Sequence, residues 1–492
     1  MHTQIIPQKL TPVPGLSSDA IQLSLYRPSV MIIVIDSASS SSFLRSMPRT
    51  LQVLTDLYGV TVFRGLNKVA DNSAPNAHAF LNGVRSDKLM IDDYVLKPEV
   101  PDWCHRYLNA SKFIGTQFVK AGYVTMMADD GPKAIFGWPN CYGFKQKPIH
   151  HYLRPYHIRI DPDSMSSEEF AEDTADLLFQ IREQQCKETY DVVMEYQKQF
   201  LNAYPASVPK FSLIWLTALT HDTINGLFHV DDYFAEFFRQ YQSQLSNSFV
   251  FFMADHGPRW GDIREGYVGR LEDNNPMLVV AVPEPLRKNK QLKANMNMNA
   301  NRLVSQYDVY TTLFDISTVA AQSNWTDLSA IDWTSKGFHK RQTSFLRPVD
   351  LTRSCRLMQI PELYCLCESD EKYISTDDPT VLSAAQYLTN QLMKQIDESG
   401  ARTICADLSL VNIVMATTNI VRSFNGEQNR VEYVVMFMVA PSKGIFQGLV
   451  ELVNGQFRMP SSRLSRINAY GTDSHCTQDA LIMPVCYCRD LV

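Results

Sequence analysis

Residues Ser29 to Ser37 read SVMIIVIDS, and the fold turns on that run. Val30 to Ile35 are six consecutive apolar side chains. They do not alternate with polar ones, so neither face of an extended segment here could meet water. A strand of this kind belongs in a parallel sheet covered by helices on both sides. At Asp36 the run stops, which sets a carboxylate just beyond the strand's carboxyl end.

The same grammar repeats outward from it. A helical segment, SSFLRSMPRTLQVLTDLYG (41–59), is followed by a short strand, TVFRGL (61–66), and by a helix that begins near Ser73. Next come the strand YVTMMADD (123–130) and a long helix across Glu168–Ala203. The strand FSLIWLTAL (211–219), the helix DDYFAEFFRQYQSQL (231–245) and the strands NSFVFFMADHG (247–257) and MLVVAVP (277–283) complete the series. Apolar strands separated by helices predict an α/β fold with a largely parallel sheet. From about Leu346 the style changes. One amphipathic helix carries Val381, Ala385, Leu388, Leu392 and Ile396 on a face, and alternating strands follow, with Asn425-Gly426 and Asn454-Gly455 as hairpin turns. The expected division is an N-terminal extension (1–29), a catalytic α/β region (30–345) and a smaller cysteine-rich α+β unit (346–492).

Composition narrows the class. Hydrophobic residues make up 45% and charged residues 20% of the 492, as in globular proteins. A net charge of −6 without any long block of like charge argues against a nucleic-acid partner. VMIIVI is far too short to span a bilayer.

Seven of the ten cysteines crowd the region after residue 350, including the pairs Cys365/Cys367 and Cys486/Cys488. One intervening residue is too few for such a pair to bridge itself comfortably, so each sulfur is expected to reach a distant partner. A zinc site is the competing reading, although no CxxC with a matching histidine pair is present. Disulfides imply an oxidising, extracellular or secretory compartment. The sequons at Asn109 and Asn324 are consistent with glycosylation there. The first residues, MHTQIIPQKLTPVPGL, do not read as a signal peptide, so either the cysteines are reduced or, the favoured expectation, a targeting segment lies upstream of the chain.

In doubly wound sheets, chemistry gathers beyond the carboxyl ends of the strands. Those ends deliver Asp36, Thr220-His221-Asp222 and Asp255-His256-Gly257, trailed by Arg259 and Arg264. Plainer readings exist for each. Asp36 could cap the next helix, His221 could be an ordinary loop histidine, and Asp255-His256-Gly257 could be a polar turn. In DNSAPNAHAFLNG (71–83), Ser73 could be an N-cap with Pro75 in the first turn. Two carboxylates and an imidazole on parallel strand ends can also hold a divalent metal. A metal there would activate the Ser73 hydroxyl as a nucleophile, with the helix N-terminus favouring an incoming anion. Zinc or manganese suits a mixed Asp/His set better than calcium.

Together, VIDS, DNSAPN, THD and ADHG resemble the alkaline-phosphatase-like superfamily of sulfatases, phosphodiesterases and phosphoglycerol transferases. IDSASSSSFLRSMPRTLQVL, KVADNSAPNAHAFLNGV, DHGPRWGDIREGYVGRLEDNNPMLVVAVP, NRLVSQYDVYTTLFDI and RSCRLMQIPELYCLC resemble a sulfatase-like branch known as domain of unknown function 229. The resemblance implies Asp36, Asp255 and His256 as metal ligands. It implies Ser73 as a nucleophile that also touches the metal, and His221 beside the bound anion or leaving group. The branch usually has threonine where this chain has Ser73. Sulfatases convert the first residue of C/S-x-P-x-R to formylglycine, whereas here Ala77 replaces the arginine, which weighs against that modification. The residues of a second metal site are not matched, and His339, in the loop GFHKRQ, reads as a surface histidine, so one metal is expected. Arg259, Arg264 and Lys340 are candidate anion contacts.

The resulting expectation is a metal-dependent phosphate-ester hydrolase or phosphotransferase acting on a small phosphorylated or sulfated substrate, with a lipid head group or glycan among the candidates. Sulfate-ester hydrolysis is one alternative. The other is an inactive extracellular binding ectodomain.

Overall fold

The computed structural model describes residues 3–8, 26–91, 94–131, 133–138, 140–160, 187–367, 371–421, 430–461, 464–479 and 481–492. Its main sheet has seven strands: β1 (Ser29–Ile35), β2 (Thr61–Val62), β3 (Val124–Asp129), β4 (His151–Tyr152), β5 (Lys210–Leu216), β6 (Ser248–Met253) and β7 (Leu278–Ala281). They lie in the order β2-β7-β6-β1-β5-β3-β4. All neighbouring pairs from β6 to β4 are parallel. The quoted run, β1, lies between β6 and β5, where both of its faces are covered. Val30, Ile32 and Val34 enter one core with Phe211, Leu213 and Trp215. Met31, Ile33 and Ile35 enter the other with Ile214 and Phe252.

Several elements differ from the sequence reading. MLVVAVP forms β7, which runs antiparallel to β6, because an all-apolar strand carries no signal of direction. TVFRGL divides into β2 and a separate strand, Leu66–Asn67, which pairs with Val304–Ser305. The first helical segment divides at Met47, ahead of Pro48, which has no N–H to continue the ladder, into helices Ser40–Ser46 and Pro48–Val53 and a π-helical turn, Leu54–Tyr58. FSLIWLTAL leaves the ladder after Leu216, because the Asp130 carboxylate takes the backbone N–H groups of Thr217 and Ala218 at 2.8 and 2.9 Å. Of the long helix expected across Glu168–Ala203, residues 168–186 lie outside the described residues; the rest is helical over Thr189–Ala203. The Asn425-Gly426 turn also lies outside them. Asn454-Gly455 does turn the chain, with φ of 50° and 77°, as a two-residue hairpin of the primed type requires.

The second sheet is built from β8 (Lys372–Tyr373), β9 (Ser409–Val421), β10 (Arg430–Ala440), β11 (Gly444–Val453) and β12 (Gln456–Arg458), all antiparallel. The helix Pro379–Glu398 packs on it, with Val381, Ala385, Leu388, Leu392 and Ile396 fully buried against Val435, Phe437 and Phe446. Disulfides Cys405–Cys486 and Cys476–Cys488 pin the chain's last segment to this unit; Cys355–Cys365 and Cys104–Cys141 lie elsewhere. Cys365, Cys486 and Cys488 therefore reach distant partners as expected. Cys367 does not: it is a free, exposed thiol, and its Sγ lies 3.8 Å from that of Cys355. Cys186 is outside the described residues. Four disulfides fit an oxidising environment. No helix among the described residues is long and apolar enough to cross a membrane.

The second sheet also holds a charge conflict. Glu432 on β10 is buried and sits directly across from Glu451 on β11. Arg430 lies 3.3 Å from both. Burial, and after it the charge of Glu362, pushes the Glu432 carboxyl up to about 7 from 4.5. The folded state thus holds the proton more tightly than the unfolded chain. Glu432's contribution is fully present below about pH 4.5 and is lost as pH rises through 7. Glu432→Gln is expected to flatten the decline of melting temperature across that window and to raise it at pH 8, measured by thermal unfolding at a series of pH values.

Candidate metal and nucleophile site

Asp36 is the first residue past β1 and still donates its N–H to Leu216 of β5 at 3.0 Å. Asp255 and His256 follow β6 by one residue. Gln306 donates to the carbonyls of Ala254 and Asp255 at 3.1 and 2.7 Å, which holds that strand end in place. Gly257 is a requirement of packing: a Cβ there would lie 2.0 Å from the Glu272 carbonyl oxygen. Together these contacts seat one carboxylate and a carboxylate–imidazole pair side by side on two adjacent strands.

Ser73 comes from a different layer. It is the first residue of the helix Ser73–Asn82, and the N-cap is Asn72, so the plainer reading of Ser73 as a cap does not hold. The turn before the helix is organised by Asn76. Its side-chain Oδ1 accepts from the N–H groups of Val69 and Ala70, and its Nδ2 donates to the carbonyls of Ala70 and Asn72. The serine hydroxyl is thereby left free to point at the strand ends. Its Oγ lies 3.2 Å from Asp36 Oδ2 and 3.1 Å from His256 Nε2.

One donor atom from each of Asp36, Asp255 and His256 falls within 4.8 Å of the others, and all three residues are buried. His256 Nδ1 donates to the Gly257 carbonyl at 2.8 Å, so Nε2 carries the lone pair that faces the cluster. Burial, and next the positive charge of Arg259, holds this imidazole well below its ordinary range and therefore neutral. Asp255 Oδ1 accepts from the backbone N–H groups of His256 and Ser37 at 2.9 and 3.2 Å. Its Oδ2 lies 3.2 Å from His256 Nε2 yet has no hydrogen-bond partner. Burial, and next the charge of Asp36, pushes the Asp255 carboxyl well above the carboxylate range. An orphaned carboxylate oxygen, a second buried carboxylate and a bare imidazole nitrogen are costly together unless a cation satisfies them. This donor set fits a divalent ion.

Around this cluster lies a cationic rim. Arg259 is 9% exposed, donates to Asn72 Oδ1 at 2.5 Å and to His221 Nε2 at 3.3 Å, and leaves its Nε without a hydrogen-bond partner. Its guanidinium lies over the Trp260 ring at 4.4 Å. His221 stands outside the metal-type cluster, held by Asp222 at 2.7 Å and packed edge-on against Trp260. The structure thus gathers Asp36, Ser73, Asp255 and His256 at one point, with Arg259 and His221 beside it.

The other candidates lie elsewhere. Arg264 is turned into the interior, bonded to Asp273 at 2.7 Å and to Gln447 of β11 at 3.3 Å, so its charge is consumed structurally. Lys340 is exposed in the loop near Asp332. His339 sits 3.5 Å from Glu99, away from the cluster. Asn72, Asn76 and Trp260 also belong to the site, without a motif that marks them. The first two lie inside the quoted DNSAPN and the third directly follows Arg259, but nothing local distinguishes an asparagine that accepts from an arginine nearly two hundred positions away.

The family model described as protein of unknown function (DUF229) matches residues 1–414. The chain belongs to that family. No curated protein matches it. Among solved structures, the DUF229 chain is similar to the C-terminal periplasmic domain of EcEptC from Escherichia coli, at 10% identity over 60% of this chain and 83% of that one, with a TM-score of 0.39. It is similar to a protein in the alkaline phosphatase superfamily from Vibrio parahaemolyticus, at 13% identity over 89% and 83%, with a TM-score of 0.35. A third likeness is to the PsFucS1 sulfatase from Pseudoalteromonas sp., at 11% identity over 71% and 75%, with a TM-score of 0.35.

For this DUF229 chain, the buried carboxylate pair gives a sign that can be measured. Because the Asp255 carboxyl is raised in the fold, its ionised form weakens the metal-free protein at neutral pH. In EDTA at pH 7, Asp255→Asn is expected to melt about 3 °C or more above wild type. Added zinc or manganese should raise the melting temperature of wild type and leave that of the variant unchanged. A variant that responds to metal like wild type would remove Asp255 from the ligand set.

Proposed function

We propose that this protein is a metal-dependent phosphate-ester hydrolase or phosphotransferase with Ser73 as its nucleophile, working in an extracellular or secretory-lumen setting. The observation that supports this most directly is the position of Ser73 Oγ, within 3.2 Å of both Asp36 and His256 at a helix N-terminus. A serine kept only for capping would turn its oxygen back to its own helix.

A divalent ion held by Asp36, Asp255 and His256 would supply Lewis acidity, lowering the serine pKa and offsetting negative charge on the phosphoryl group. The chain's own residues do the rest. Asp36 Oδ2, at 3.2 Å, accepts the hydroxyl hydrogen and orients the Ser73 oxygen for in-line attack on phosphorus. The Ser73 Oγ–P bond forms as the ester P–O bond breaks. Arg259, which donates to Asn72 Oδ1 at the helix start, brings its guanidinium charge to the non-bridging oxygens. His221, with Nδ1 on Asp222 and Nε2 accepting from Arg259, holds that arginine beside the leaving group, and the departing alkoxide takes its proton from solvent. Water then releases phosphate from Ser73, or an acceptor alcohol takes the phosphoryl group.

Sulfate-ester hydrolysis requires a different residue at position 73. In this chain the position that carries arginine in the sulfatase signature is Ala77, which is completely buried and cannot reach a ligand. A tryptic peptide with the mass of unmodified serine would retain the phosphate reading, whereas a formylglycine mass would replace it with the sulfatase one. In assays of phosphomonoester, phosphodiester and sulfate-ester substrates, activity is expected on phosphate esters, dependent on zinc or manganese. Ser73→Ala should lower kcat on the order of 10³-fold or more. Equal rates for wild type and variant would leave an inactive binding ectodomain as the better account.

A further inference from the structure

A second cluster of charge lies on the same edge of the main sheet, outside the site just described. Beyond the carboxyl ends of β3 and β4 is a basin of about 220 Å³. Lys133, Lys145, Lys147 and Arg154 line it, over a floor that includes Phe136 and Tyr152. No carboxylate lines it among the described residues. Arg154 shares the field of Asp129, and the three lysines around one small volume repel one another, a cost relieved when an anion sits between them.

The walls are built. The loop that carries Lys145 and Lys147 starts at Cys141, which is tied to Cys104 by a disulfide. The opposite wall begins at Ala134, a non-glycine residue at φ 50°, a conformation that persists only where the surroundings impose it. Buried Asp129 helps to impose it, accepting from the Ile135 N–H at 3.4 Å. Lys147 uses one donor on the His150 carbonyl at 3.0 Å, and Lys145 stands 6.0 Å over the Tyr107 ring. Each of these lysines carries three N–H donors, so both keep capacity for a ligand.

We propose that this basin is a second oxoanion site, which takes a phosphate or sulfate group carried on a small ring such as a sugar. The cationic rim recognises the oxoanion, and the aromatic floor stacks against the ring that bears it. Only β5 lies between β3 and β1 in the sheet, so the axes of those two strands are about 10 Å apart. A ligand reaching both the basin and Asp36 would carry two anionic groups. The proposal does not rest on catalysis at Ser73, and its test is a binding measurement.

Isothermal titration calorimetry in EDTA, which removes metal from the Asp36 cluster, provides that test. The probes are glucose 6-phosphate, glucose 6-sulfate, inorganic phosphate and glucose. The proteins are wild type, Ser73→Ala and the double variant Lys145→Gln/Lys147→Gln, whose two altered positions are exposed and should leave the melting temperature unchanged. Both sugar esters are expected to bind wild type and Ser73→Ala alike. They should bind the double variant at least tenfold more weakly, inorganic phosphate should bind wild type more weakly than either ester, and glucose should not bind. Saturable binding absent from wild type, or undiminished in a double variant with wild-type melting temperature, would overturn the site. Inorganic phosphate binding as tightly as the sugar esters would overturn the role given to the aromatic floor.

Discussion

Two carboxylates, Asp36 and Asp255, are held next to one another out of reach of water, and the structure around them is arranged to keep them there. In isolation such a pair would protonate or move apart. The fold prevents the separation, and the Asp255 carboxyl is accordingly held well above the carboxylate range by burial and by Asp36. Asp36 receives hydrogen bonds from Ser37 Oγ and Trp215 Nε1, and its carbonyl accepts from Thr220 Oγ1. Asp255 is fixed by two backbone N–H groups and by Gln306 on its own carbonyl. Ser37 itself adopts φ 59°, a left-handed conformation for a non-glycine residue at the point where the chain leaves β1. Strain of that kind at the end of the central strand is expected where position serves chemistry more than stability.

The C-terminal unit supports this arrangement from outside the main sheet. Ser465 donates to Asp71, two residues before Ser73, and Gln447 accepts from Arg264. Beneath the helix start, Lys68 is fully buried between Asp273 at 2.6 Å and Asp71 at 3.6 Å, with Tyr364 under its ammonium group. Val69 and Ala79 share a core cluster with Val434 and Leu449 of the second sheet. Tyr470 meets Trp260 edge to face, 6.0 Å between centroids, and extends the wall beside Arg259 and His221. The cysteine-rich region thus backs the turn that presents the serine.

Much of this was legible in the order of residues, for reasons that are local. An apolar run without alternation states that both faces are covered, and the residue that ends it must sit at a sheet edge. Read that way, Asp36 and Asp255-His256 fall at the carboxyl ends of parallel strands, while the adjacency of those two strands belongs to the fold. The helix face of Val381 to Ile396 was equally plain from its 3.6-residue period. Direction was not legible: β7 is as uniformly apolar as β1, and its reversal follows from the connection that brings Asp273 back under Gly257. Arg264 looked like an anion contact because a free arginine and one buried against Asp273 and Gln447 have the same letter.

By itself, the amino-acid order determined which segments are buried, which polar residues close them, and that a hydroxyl opens a helix, because burial and helix starts are written in periods and caps a few residues long. Only the tertiary structure decided that the Ser73 oxygen faces Asp36 and His256, that Arg259 reaches across to Asn72, and which cysteines bridge. Those are contacts between residues tens to hundreds of positions apart, chosen by strand order and by the packing of whole layers, and no local pattern encodes a distance between them.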